Sequence, residues 1–228
     1  MDQATAADLV IAGIGGAAGG TYHHVNLEGV SRIGGPVRAR TFKGNGLMRL
    51  GGSLTVDEME TNGDLKVGGG LQMGTMKHDG LLKMDGGLRG ENCTLSGVIG
   101  IKGDCELRNF TVEGSVTISG FLSAEHVELA LQGQTRVKKI GVESLVVRKA
   151  GSGVWSKLAG GVIPKLRAEL QTSVIDGDFI DLEYTTADVV RGAIVIIGEG
   201  CSIGRVEYRE GLTVHPGATV GMEVKTGE

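Results

Sequence analysis

The sequence predicts an all-β fold: a single-stranded β-helix, or solenoid, of about 17 residues per rung. It is laid out in two blocks with a short helical or irregular insertion between them. Three observations lead there. Glycine recurs every seventeen residues in two columns, one at Gly29, Gly46, Gly63, Gly80, Gly97 and Gly114, the other at Gly35, Gly52, Gly69, Gly86, Gly103 and Gly120. Apolar residues hold the same register, as in Met48, Leu65, Leu82, Ile99, Val116 and in Leu50, Val67, Met84, Ile101, Ile118. Within each block the apolar positions alternate, as in Leu65-Lys66-Val67. A fixed short period is the sequence signature of a solenoid, and alternation is the signature of a strand with one buried face.

A helix cannot use this pattern, because each interior glycine costs it roughly 1 kcal/mol. Each block therefore reads as strands of about five residues bent at glycine corners, glycine reaching positive φ without steric cost. Rungs stacked by hydrogen bonds at about 4.8 Å turn every apolar column into an interior ladder. Two further columns complete the set: Val37, Leu54, Leu71, Leu88, Cys105, Leu122, and Val25, Phe42, Met59, Met76, Cys93, Phe110, Val127.

Residues 1–20 read as a tail and a starter strand, Leu9 to Ile14, followed by a flexible glycine-rich run. Residues 21–150 form the main block, which becomes irregular near 131, where Leu131 and Val137 fall on the glycine columns. Residues 151–173 interrupt it. Within them, Val154 to Leu170 is the one helical candidate, with an apolar stripe broken by Gly160, Gly161 and Pro164. It reads as a capping insertion or as a basic amphipathic membrane contact. The period returns over 174–224, pairing Ile180 with Ile197, Val195 with Leu212, Val189 with Val206, Ile197 with Val214 and Ile203 with Val220. Residues 225–228 form a tail.

The chain carries 41 glycines, 3 prolines and 4% aromatics, a composition suited to glycine corners around a narrow aliphatic core. A net charge of −4 with interleaved signs argues against nucleic acid as partner, since phosphate binding wants a basic patch. Three cysteines, with Cys93 and Cys105 in apolar columns, read as inert core thiols. Their odd number, and acidic Asp2 and Asp8 where a secretory leader would be basic, predict a cytoplasmic protein.

Catalytic signals are weak. Gly13-x-Gly15-x-x-Ala18 is a loose dinucleotide fingerprint, but no helix pattern follows it. The histidines are His23, His24, His78, His126 and His215, and none has metal-ligand spacing. His78, in the short connection before Gly80, and His126 both read as solvated surface residues. Asp57, Glu58 and Glu60 read as a solvated corner. The His23-His24 pair at the start of the solenoid is the hardest to dismiss. No catalytic, cofactor or metal site is predicted. The competing class is a hexapeptide-type β-helix acyltransferase, which needs a catalytic histidine between subunits.

The unit Gly63-Asp64-Leu65-Lys66-Val67-Gly68-Gly69-Gly70-Leu71, and the ending Val189-Val190-Arg191-Gly192 through Ile197-Gly198-Glu199-Gly200-Cys201 to Val206-Glu207-Tyr208, resemble the bactofilin family of bacterial cytoskeletal proteins. The layout is similar to the long form found in spore-forming Gram-positive bacteria. That resemblance covers Leu9 to about Val224. It implies a right-handed β-helix that polymerises end to end into non-polar filaments without nucleotide, and scaffolds envelope machinery at the inner face of the membrane. The chain departs from the family in having no proline-rich tails, since only Pro36, Pro164 and Pro216 occur.

A physical argument reaches the same expectation. End rungs expose unpaired backbone groups, and an open edge templates pairing with another chain. The chain is therefore its own expected partner, with the inner membrane or a membrane protein as a second. Leu9, Val10 and Ile14 at one end, and Leu212, Val214 and Val220 at the other, are the expected polymer interface.

Overall fold

A computed structural model describes residues 6–150 and 168–227. The chain divides into two compact units, residues 1–108 and 109–228. In the first, β1 (Leu9–Ala17), β2 (Gly20–Ile33), β3 (Val37–Leu50), β4 (Leu54–Val67), β5 (Leu71–Met84) and β6 (Leu88–Ile101) pair in parallel, in chain order. β7 (Cys105–Leu131) runs from the first unit into the second. In the second, β7 is followed in order by β8 (Gln134–Lys149), β9 (Glu169–Leu182), β10 (Thr185–Ile197), β11 (Ser202–Val214) and β12 (Thr219–Lys225), again parallel. Each unit is a β-solenoid, and no helix occurs among the described residues. Segment 151–167, holding most of the expected helix and its membrane contact, lies outside them.

The predicted columns are ladders. Met48, Leu65, Leu82 and Ile99 are successive register partners, as are Leu50, Val67, Met84 and Ile101, and all are buried. Two columns escaped the sequence reading: Ala39, Val56 and Met73, and Leu27, Gly44, Thr61, His78 and Leu95. A rung thus has six inward positions in three pairs, one of them held by glycine in β3 (Gly44) and in β6 (Gly90); in β4 they are Leu54 and Val56, Met59 and Thr61, Leu65 and Val67. Three straight stretches with two inward residues each make a rung.

The expected five-residue strands are corrected to fourteen residues in β2 to β6. Backbone pairing runs unbroken through the first glycine column because every rung turns there in the same way. Gly63, at φ 110°, shows what that corner needs: a Cβ would also sit 2.4 Å from the Gly46 carbonyl oxygen of the rung beneath. The second column needs glycine for a different reason. Gly52, Gly69, Gly86 and Gly103 have no positive φ, but a Cβ there would meet the neighbouring rung's backbone at 2.5, 2.9, 2.5 and 2.6 Å. Close approach, not positive φ, fixes that column.

Irregular rungs are absorbed at corners, which explains where the sequence register slipped. Thr117 pairs with Arg136, nineteen residues on, so Val137 stacks on Ile118 inside the core and not on a glycine corner. The β9–β10 step is fifteen, so Ile180 lies beside Val195 and Leu182 beside Ile197, not Ile180 beside Ile197. Val206 lies beside Val190, not Val189. The other second-block pairings hold: Val195 with Leu212, Ile197 with Val214, Ile203 with Val220. β9 begins at Glu169, ahead of residue 174. The glycine-rich run that reads as flexible is ordered: β1 continues to Ala17 and β2 begins at Gly20, whose N–H donates to the Pro36 carbonyl at 2.9 Å. No helix follows Gly13-x-Gly15-x-x-Ala18, so that fingerprint has no dinucleotide site to build.

Candidate functional site

Among the described residues, the features that could act outward include two strand edges, an apolar stripe, an open groove and a side-chain cluster. At the start of the first unit, β1 pairs among the described residues on one side only, with β2. Its nine residues carry no charge, Val10 and Ile14 are 68% and 89% exposed, and Leu9 is half-buried although its column partner Val25 is 1% exposed. At the end of the second unit, β12 pairs among the described residues only with β11. Its residues register with Ser202 to Tyr208, so Leu212 and Val214 of β11 have no β12 partner and are half-buried, as is Val220. This edge differs from the first in one respect. Glu223 continues the column of buried Val190 and Val206, placing a carboxylate where the core would go on.

The residue after each first-column glycine faces out. In the first unit these residues are Ile14, Val30, Leu47, Asp64, Leu81 and Val98, successive register partners. Val30, Leu47 and Val98 are 44%, 45% and 57% exposed, so an apolar stripe climbs one corner, broken at Asp64. Two residues further along each rung runs a basic ladder, Arg32, Arg49, Lys66 and Lys83. Asp64 ties into it, receiving two hydrogen bonds from Arg49 at 2.8 and 2.7 Å. That guanidinium holds the Asp64 carboxyl below the usual carboxylate range. The stripe was legible at period seventeen but passes unnoticed when only inward columns are sought.

An open groove of about 570 Å³ lies on the first unit between two polar ladders, one including Lys43, Glu60 and Lys77 and the other Asn45, Asn62 and Asp79. His78 at its floor is 3% exposed, which corrects its surface assignment. Its side chain occupies the inward position two residues after Met76, where alternation could have placed it. Nδ1 lies 2.9 Å from Thr61 Oγ1, and Nε2 is buried with no hydrogen-bond partner among the described residues. Burial pushes the imidazole pKa down, against a smaller opposing pull from Asp79. A buried ring inside its own rung cannot reach across to a second subunit, as the acyltransferase class requires.

His23 and His24 sit at a corner where two consecutive residues face out, as Asp57 and Glu58 do two rungs on. Asp8 joins them, and one ligand atom from each of the three lies within 4.8 Å of the others. His126 and His215 are exposed elsewhere. Cys93, Cys105 and Cys201 are free and buried. Burial raises all three thiol pKa values, to about 12 for Cys105 and about 11 for Cys201. Among the described residues no helix is long and apolar enough to cross a membrane.

No protein-family profile matches the chain, and no solved structure does. Two curated proteins of Bacillus subtilis (strain 168) are similar to part of it. Uncharacterized protein YhbF is 33% identical over 107 residues, 46% of this chain and 42% of that protein. Uncharacterized protein YhbE is 39% identical over 108 residues, 47% of this chain and 44% of that protein. The matched stretch spans less than half the length of each relative.

Proposed function

We propose that this chain is a structural scaffold of the bactofilin kind, which self-assembles through its end strands into nucleotide-independent filaments. The observation that carries the reading is β1: an uncharged strand, paired among the described residues on one side, with exposed Val10 and Ile14 and a half-buried Leu9. Natural proteins blunt such an edge with charge, proline or a cover, and β1 carries neither charge nor proline. A second chain pairing there would satisfy the free backbone groups and bury Leu9. The charge-free edge makes the strong contact. The β12 edge, bearing Glu223 and Lys225, makes a weaker and salt-sensitive one. Contacts at both edges give an open polymer.

The apolar stripe beside its basic ladder supports an accessory contact with an anionic membrane surface. Apolar side chains insert at the headgroup boundary while Lys and Arg meet lipid charge, with at most about 1 kcal/mol from each and less from Arg49 and Lys66, which already pair with Asp64 and Asp85. The expected setting is the inner face of a cytoplasmic membrane, where the filament organises envelope or motility machinery. Sedimentation and electron microscopy of purified protein without nucleotide test the assembly. Filaments or large oligomers are expected, and a clean monomer across concentration, salt and pH contradicts it.

A further inference from the structure

We propose that Asp8, His23 and His24 form a binding site for a divalent transition-metal ion of the zinc type, at the first edge of the solenoid. The site is assembled by the fold, since His23 lies fifteen positions after Asp8. The β1–β2 register sets Leu9 beside Val25 and so brings Asp8 over His24. Two backbone contacts fix the approach: the His23 N–H donates to the Ala7 carbonyl at 3.1 Å, and the His24 N–H donates to Asp8 Oδ1 at 3.1 Å. The corner geometry turns both consecutive imidazoles outward, with ring centroids 4.0 Å apart, and His23 Nδ1 lies 3.9 Å from Asp8 Oδ1.

Two imidazoles and a carboxylate are a donor set that zinc uses in open, three-ligand sites. Ligands 2.0–2.1 Å from a tetrahedral ion stand about 3.4 Å apart, so the present spread of up to 4.8 Å closes with side-chain rotation alone. All three residues are exposed, and such rotation meets no packed core. A supporting contact is also present. His24 Nδ1 lies 2.7 Å from Thr41 Oγ1, on the next rung. With Nδ1–H donating to that hydroxyl, the lone pair of Nε2 is free for the metal, the arrangement by which outer partners orient ligating histidines. Three protein ligands leave at least one coordination position open to water or to a donor from another molecule. The inference does not depend on filament assembly.

The test uses the full chain titrated with Zn²⁺ by calorimetry and with Co²⁺ by visible absorption. About one ion per chain is expected, with the intense bands of a low-coordinate nitrogen and oxygen site for Co²⁺. His23→Ala and His24→Ala should each weaken binding at least about tenfold, and Thr41→Val by about tenfold through its outer contact. His126→Ala and His215→Ala should leave it unchanged. Because the three ligands are exposed, circular dichroism should show the variants folded. Absence of binding to the wild-type chain, or equal binding by the His23→Ala and His24→Ala variants, overturns the site.

Discussion

Single side chains in this molecule are judged by which ladder they join. Leu82 lies between Leu65 and Ile99 and is fully buried. Leu82→Ala should cost about 3 kcal/mol in denaturant unfolding, because a one-file column has little freedom to collapse on the cavity. Leu82→Lys or Val116→Lys should prevent folding, seen as loss of circular dichroism. Gly63→Ala should cost about 1–2 kcal/mol or more, from its left-handed φ and the contact with the Gly46 oxygen. Gly100→Ala is the control: nothing lies closer than 4.0 Å to its Cβ position, so that change should be neutral or slightly stabilising. His78 gives a pH dependence. Its folded pKa is lowered by burial, so the folded chain binds the proton less readily than the unfolded one. The resulting stability is present above the unfolded value of about 6.5 and is lost as pH falls below it. The urea midpoint should therefore fall between about pH 7.5 and about pH 5.5, and fall less in His78→Leu, which matches Leu95 in the same column. Equal slopes in the two proteins would contradict the assignment.

Among the strand elements, the two edges set the behaviour. Leu9→Lys places a charge in the inward register of β1, the device Glu223 already supplies in β12. It should abolish assembly while leaving the fold intact, because the free edge lets the ammonium reach water. Glu223→Val should do the opposite and raise the assembled fraction, as read by light scattering. The strands also show what sequence alone could reveal. Where the period stays at seventeen, from β2 to β6, the columns of Leu65 and Val67 were fully legible. Where a corner gains or loses residues, near Gln132 and between β9 and β10, the register moves and period counting mispaired Ile180 and Val189. His78 was misread because a polar residue in an inward position breaks the apolar pattern by which that position is recognised. The His23-His24 pair is legible, but Asp8 is not, because it meets them only through strand register.

For the whole molecule, neither composition nor net charge selects a partner, and the edges and the stripe carry the functional argument. A charge of −4 is small enough that like molecules can approach at physiological salt, where the Debye length is about 8 Å. Salt should alter the contact at β12, where Glu223 and Lys225 sit, and leave the uncharged one at β1 unchanged. The stripe should bring the protein to vesicles containing anionic lipid and not to neutral ones, and Leu47→Glu should reduce that binding in a flotation assay. The most direct measurement is electron microscopy of the wild-type chain and Leu9→Lys, side by side, without nucleotide. Filaments from the wild type and none from the folded variant are expected. A monomeric wild type, or filaments undisturbed by the charge at Leu9, would contradict the claim that free strand edges join these molecules.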